Sequence, residues 1–261
     1  MKLAFIAEYD GSGYCGWQRQ GNARTVQREI ENALSFVADQ PLKVVAAGRT
    51  DAGVHASAQV LHTETSARRA NHAWLFGANS RLPGDISLRW CQPVEDDFSA
   101  RFSAQSRSYR YIILNRPLRS GLLRNRCAWE CRSIDAACMH EAAQALIGEH
   151  DFAAFRAASC QATTSVRQVR EIAVQRHDDL VVLAITANGF LHNMVRIIAG
   201  SLLCIGRGER PTAWLGELLR GQDRRASGAT APAQGLYLTG VSYPARYAIP
   251  RLDRVGRILI I

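Results

Sequence analysis

Apolar and polar positions along the chain fall into short extended runs that alternate with helical stripes. KLAFIAEY (2–9) reads as a strand. In TVQREIENALSFV (25–37), apolar residues at 26, 30, 33, 34 and 37 recur at spacings of three and four, which predicts a helix with Thr25 as N-cap. LKVVAA (42–47) and QVLHTET (59–65) read as strands, ANHAWLFGAN (70–79) as a short helix and ISLRWCQPV (86–94) as a strand. The order is β-α-β-β-α-β. It recurs in the second half, beginning with a strand at SYRYIILN (108–115) and a helix at SIDAACMHEAAQALIG (133–148), capped by Ser133 and ended by Gly148. A hairpin of VREIAVQR (169–176) and DLVVLAITA (179–187), a strongly apolar helix GFLHNMVRIIAGSLLCIG (189–206) and a strand GLYLTGVSYP (235–244) complete it. TAWLGELLR (212–220) is an extra helix, and GQDRRASGATAPAQG (221–235) is small, polar and expected to be mobile.

Two copies of this order predict an α+β fold of two ferredoxin-like (RRM-like) halves with antiparallel mixed sheets and a cleft between them. The halves are expected at 1–104 and 105–261. The repeat is one of element order rather than of sequence, so one irregular α+β domain is the competing reading.

At 261 residues, 47% hydrophobic and 21% charged, the chain has the composition of a globular protein with a real core. Its opening, KLAFIAEYDG, lacks the apolar region of a secretory signal, and no run approaches a membrane span, the tail GRILII (256–261) included. A cytoplasmic protein without membrane contact is the expectation. The seven cysteines are dispersed with no CxxC pair, so they read as reduced, mostly buried thiols and no metal site is expected. A net charge of +9 favours polyanionic partners. That 30 of the 32 basic residues are arginine says nothing of function by itself.

Candidate chemistry concentrates in a few places. In AAGRTDAGVHA (46–56), a lone carboxylate, Asp51, lies among small residues, two positions after Arg49. Gly48 and Gly53 let the chain turn sharply and a ligand come close. A solvated Asp–Arg turn and a catalytic acid both fit. His55, four residues on, is either a structural hydrogen-bond partner or a catalyst. In the helix from Gly189, the residues His192, Asn193, Arg196 and Gly200 align as one polar stripe on an otherwise apolar cylinder. A buried arginine needs an anion beside it, either a core carboxylate or, across the cleft, Asp51 or phosphate. Tyr109 and Tyr111 share one strand face with Arg110 opposite, for core packing or for stacking on an extruded base. The run 116–132, with Arg116, Arg119, Arg124, Arg126 and Arg132, suits a phosphate-tracking surface. The glycine-rich loop GSGYCGWQRQ is a weak match to nucleotide-binding patterns.

Five segments, DGSGYCGWQRQ, AAGRTDAGVHA, FSARFSAQSRSYRY, NGFLHNMVRIIAG and APAQGLYLTGVSYP, together resemble the bacterial tRNA pseudouridine synthase A family, from about residue 2 to Pro244. The resemblance implies isomerisation of uridine to pseudouridine at positions 38 to 40 of the tRNA anticodon stem-loop. It also implies a homodimer with a basic surface for tRNA, and no metal or organic cofactor. By the same resemblance Asp51 falls on the essential aspartate, Tyr109 on the active-site tyrosine, Arg196 on the basic partner of the aspartate and Leu236 on the apolar residue beneath the site. Arg49, His55 and Arg110 are taken as substrate contacts. Two rivals remain at this level. One is an RNA-binding protein of two RRM-like halves, which lacks the expected RNP1 pattern. The other is a metal-dependent nuclease built on Asp51, His55 and His62.

Overall fold

The computed structural model describes residues 1–252. In chain order the strands and helices are β1 (Lys2–Tyr9), α1 (Val26–Ala38), β2 (Val45–Ala46), β3 (His55–Glu64), α2 (Asn71–Asn79), β4 (Ile86–Val94), β5 (Ser106–Asn115), β6 (Ala128–Glu130), α3 (Ala136–Ala143), β7 (Gly148–Asp151), β8 (Val166–His177), β9 (Leu180–Ala187), α4 (Met194–Gly206), α5 (Trp214–Gly221) and β10 (Leu236–Ser242). The protein is mixed α+β, with strand pairing mostly antiparallel. It gathers into two units, one of residues Met1–Gln105 with the chain from Tyr237 on, the other of Ser106–Leu236. Among the described residues, no helix is long and apolar enough to cross a membrane. The tail 256–261, read above as too short to span, lies outside the described residues.

In the first unit β1 is the central strand, antiparallel to β3 on one side and β4 on the other. β2 pairs with β3 at Val45 and His62, and β10 joins β3 in parallel at Tyr237 and His55. Phe5 of β1 meets Trp74 of α2 edge-on at 6.3 Å, and both are fully buried. That contact seats the helix on the sheet. The predicted stripe of α1 is buried at Val26, Ile30, Ala33 and Leu34. Thr25 is at the N-cap, but its side chain makes no cap bond. The amides of Val26 and Gln27 instead donate to the carbonyls of Gly16 and Trp17, so the glycine-rich loop closes the helix start.

Two strand expectations in this unit change. The run 42–47 keeps only two strand residues, because the amides of Leu42 and Val44 donate to Ser35 Oγ (2.8 Å) and Glu31 Oε1 (3.1 Å) of α1 rather than to a strand. β3 in turn begins at His55, four residues before the expected strand. The segment HASA has no alternation to betray it, since every residue from His55 to Thr63 is buried.

In the second unit β5 runs antiparallel to β9 from Arg107↔Ala187 to Leu114↔Leu180, and β9 continues through the hairpin into β8. β7 pairs on β8, and β6 lies parallel to β5. These two strands, of four and three residues, are too short to leave a periodic signal. The cap of α3 is Asp135 rather than Ser133, its carboxylate accepting from the amides of Ala137 (2.8 Å) and Cys138 (3.0 Å). The helix also ends before Gly148, which at φ 108° opens β7.

The expected helix 189–206 starts only at Met194, after Asn193 in the left-handed region (φ 62°). His192 therefore lies outside the polar stripe. Gly200 serves packing instead: a Cβ there would sit 1.8 Å from Ala229 O. Beside it, Ser201 Oγ accepts from the Gly228 amide at 3.0 Å. The segment 221–235 is held at several points rather than loose. Of the cysteines, all free, only Cys91 and Cys127 are buried, and burial pushes their thiols up to about 12 and about 11. Cys15 and Cys131 are exposed, against the expectation of mostly buried thiols. They stand in loops, where strand alternation does not turn a side chain inward.

Candidate active site

Asp51 opens a tight turn. Its carbonyl accepts the Val54 amide at 3.1 Å, and Gly53 takes φ 78° at the third position, as a type II turn requires. The side chain is half-buried. On the side before it, Thr50 is held at two points: its carbonyl accepts the Trp17 amide at 2.9 Å, and its hydroxyl lies 2.8 Å from the buried Tyr9 hydroxyl. Arg49 is exposed.

The glycine-rich loop after β1 explains itself here. A Cβ at Gly16, which has φ 86°, would meet Thr50 O at 2.7 Å and Asp51 C and Ala52 N at 3.1 Å. A Cβ at Gly11 would sit 2.0 Å from Val54 O. These glycines allow backbone to lie directly against the Asp51 turn. The loop is a mould for that turn, a role its weak match to nucleotide-binding patterns did not suggest.

His55 is the residue at the base of the turn. It is 1% exposed, its ring stacks on Tyr237 at 4.6 Å and 20°, and Nδ1 lies 3.1 Å from both the Gly11 amide nitrogen and Asp10 Oδ1. A neutral ring accepts the amide proton at Nδ1, and a protonated ring donates to the carboxylate. Either way this edge of the imidazole faces the loop. His62 is also buried, with Nδ1 accepting from the Ala100 amide at 3.1 Å. Burial, with a smaller push from Lys2, holds it below the ordinary histidine value. Among the described residues no three His, Cys, Asp or Glu side chains gather as metal ligands, so the nuclease reading lacks its donor set.

In the second unit the two tyrosines of β5 separate in role. Tyr111 is fully buried and its hydroxyl donates to Pro232 O at 2.8 Å, while its ring packs where Gly235 leaves room: a Cβ there would be 2.8 Å from Tyr111 Cζ. Burial pushes this phenol well above its usual value, against the lowering influence of the Arg196 guanidinium. Tyr109 is 8% exposed and meets Phe190 edge-on at 4.9 Å. Arg110, between them, is half-buried.

Arg196, in the first turn of α4, is half-buried. Its Nε donates to Ala231 O at 2.8 Å and its Nη1 to Asn193 Oδ1 at 2.9 Å, while its own carbonyl accepts the Ala231 amide at 3.0 Å. Within the segment Arg224 adds contacts to Ser227 Oγ, Gly228 O and Thr230 Oγ1. Together with the Tyr111–Pro232 bond, these fix the chain that leads into Leu236, itself 6% exposed. Sequence reasoning missed this anchoring because carbonyl acceptors leave no mark on composition.

Asp51, Arg49 and His55 thus belong to the first unit, and Tyr109, Arg110, Arg196 and Leu236 to the second. Fold and site define an α+β protein in which a turn, moulded by a glycine loop, presents one carboxylate. The sequence profile described as tRNA pseudouridine synthase matches residues 5–103 and 142–244. The chain is 50% identical over 250 residues to the tRNA pseudouridine synthase A of Hydrogenovibrio crunogenus, covering 96% of this chain and 95% of the relative. It is 52% identical over 253 residues to that of Shewanella amazonensis, covering 97% of each. The crystal structure of a Cbf5–Nop10–Gar1 complex aligns with 91% of this chain and 49% of its own at a TM-score of 0.37 and 11% identity, too weak a likeness to argue from. The chain belongs to the tRNA pseudouridine synthase family, and is an enzyme of the isomerase class.

Proposed function

We propose that this enzyme converts uridine to pseudouridine at positions 38, 39 and 40 of the tRNA anticodon stem-loop, with Asp51 as the reacting acid. The observation that carries the reading is the Asp51 turn: a half-buried acidic residue whose backbone is held on both sides by hydrogen bonds, in a chain of this family. The reaction breaks the N1–C1′ bond, turns the uracil, forms the C5–C1′ bond and releases the C5 proton, while N1 gains one. Nothing else is consumed. The carboxylate acts as nucleophile at C1′ or C6, or as base toward the 2′ proton.

Arg196 pairs with Asp51 in this reading, supplying the opposite charge that a desolvated carboxylate needs. Tyr109 lines the pocket of a uracil that has left its stack, at a cost of a few kcal/mol. Leu236 packs beneath the site, while Arg49, Arg110 and His55 assist substrate binding, His55 from a buried position. The two halves, divided near residue 105, are ferredoxin-like; the β-α-β-β-α-β order of the first supports this, while the strand from Tyr237 on groups with the first unit rather than with the second half. The enzyme acts in the cytoplasm as a homodimer that offers tRNA a basic surface, in keeping with its net charge of +9.

Asp51→Asn tests the assignment, because shape is kept and charge is lost. The variant is expected to bind tRNA normally and to release no tritium from tRNA labelled at uridine C5. Near-normal release would refute the role of Asp51.

A further inference from the structure

We propose that Tyr9 is a positioning residue for the Asp51 carboxylate, acting through Thr50; the proposal rests on the reading of Asp51 as the reacting acid. Tyr9 ends the central strand of its unit, and both ladders of that strand are irregular on the way to it. Against β3 the pairing steps from Ala7↔Gln59 to Tyr9↔Ala56, and against β4 from Ile6↔Trp90 to Ala7↔Leu88. The extra residue lies in β3 in the first case and in β4 in the second, so each neighbouring strand bulges beside the last residues of β1.

Tyr9 is 4% exposed, its ring packs 5.9 Å from that of Trp17, and its hydroxyl lies 2.8 Å from Thr50 Oγ1. Threonine is β-branched and stiff at χ1, so holding Oγ1 holds the residue. The Thr50 carbonyl is fixed independently by the Trp17 amide. Asp51 follows directly, and its own carbonyl is engaged by Val54. The backbone of the acid is therefore held from both directions, and on the Thr50 side one of the holding groups is a phenol from another strand. A core tyrosine needs only some partner for its hydroxyl. This one spends it beside the reacting residue, where a displacement of an ångström changes rate far more than stability.

The test uses the full-length enzyme, with single-turnover tritium release from C5-labelled tRNA, tRNA binding and thermal unfolding as readouts. Tyr9→Phe removes one oxygen, and Thr50→Val removes the other. Each is expected to slow the chemical step by on the order of tenfold to a hundredfold while tRNA affinity and unfolding temperature stay close to wild type. Thr50→Ser keeps the hydroxyl and should keep most of the rate. The double variant Tyr9→Phe/Thr50→Val should be no slower than either single one, because both break the same contact. A wild-type rate in Tyr9→Phe overturns the proposal. So do additive losses in the double variant, or a rate loss matched by an equal loss of affinity or unfolding temperature. Asp51→Asn run alongside separates the two levels: normal release from that variant defeats the assignment of the acid itself, an outcome distinct from any result with Tyr9 or Thr50.

Discussion

Gly16 shows how much of the site hangs on single atoms. At φ 86° it lies in a region that side chains resist, and a Cβ would come within 2.7 Å of Thr50 O. Gly16→Ala is expected to cost about 2 kcal/mol in urea unfolding and to lower turnover as well, since the displaced atoms adjoin Asp51. Arg196 makes the complementary case. Its guanidinium donates to Ala231 O and Asn193 Oδ1, and a lysine ammonium cannot reproduce that planar fork. Arg196→Lys therefore keeps the charge and loses its direction. On the proposed role of Arg196 as partner of the acid, tritium release should fall by about a hundredfold with tRNA binding retained, the scale of removing one oriented group from an active site. Unchanged release would mean that the charge alone suffices.

Among the elements, α3 offers a pH signature. The Cys138 amide, then the Ala137 amide, hold the Asp135 carboxyl below the usual carboxylate range. A depressed value in the folded state means that the cap adds stability above the ordinary aspartate range and loses it as pH falls through the folded-state value. Asparagine also caps helices but does not titrate. Asp135→Asn should thus give a flatter dependence of unfolding temperature on acid pH, and parallel curves would exclude the cap as its source. The same helix marks where pattern reading stopped. Apolar spacing located the helix, but the choice between Ser133 and Asp135 as cap depended on which side chain reached the free amides. α1 behaves likewise: its stripe was plain in the sequence, while its first amides are closed by carbonyls of the glycine-rich loop just upstream. Strand β3 was half visible, its apolar run legible and its opening HASA hidden by burial on both faces.

For the whole molecule the dominant quantity is charge. With +9 overall, binding to tRNA should weaken steeply with salt, by about a thousandfold between about 50 and 200 mM for six or so phosphate contacts. Some of the arginines are spent internally. Arg207 and Arg132 form a network with Glu130 and Glu209, and Arg246 pairs with Asp97. Those of the run 116–126 are half-buried or exposed, in a stretch without an acidic residue. A titration of tRNA affinity against salt measures the slope, and a flat response would remove the basic surface from the account.

The sequence by itself determined the α+β class, the approximate position of most longer elements and the family, and it nominated Asp51, Tyr109 and Arg196 as the proposed site. These follow from local periodicity and from motifs that are contiguous in the chain. Only the tertiary structure decided that the glycine loop is a mould for the Asp51 turn, that Tyr111 and Arg196 anchor the segment before Leu236, and that Tyr9 reaches Thr50. Each of those is a contact between residues dozens of positions apart, made by backbone atoms or single hydroxyls. Side-chain pattern is blind to them until the chain has folded.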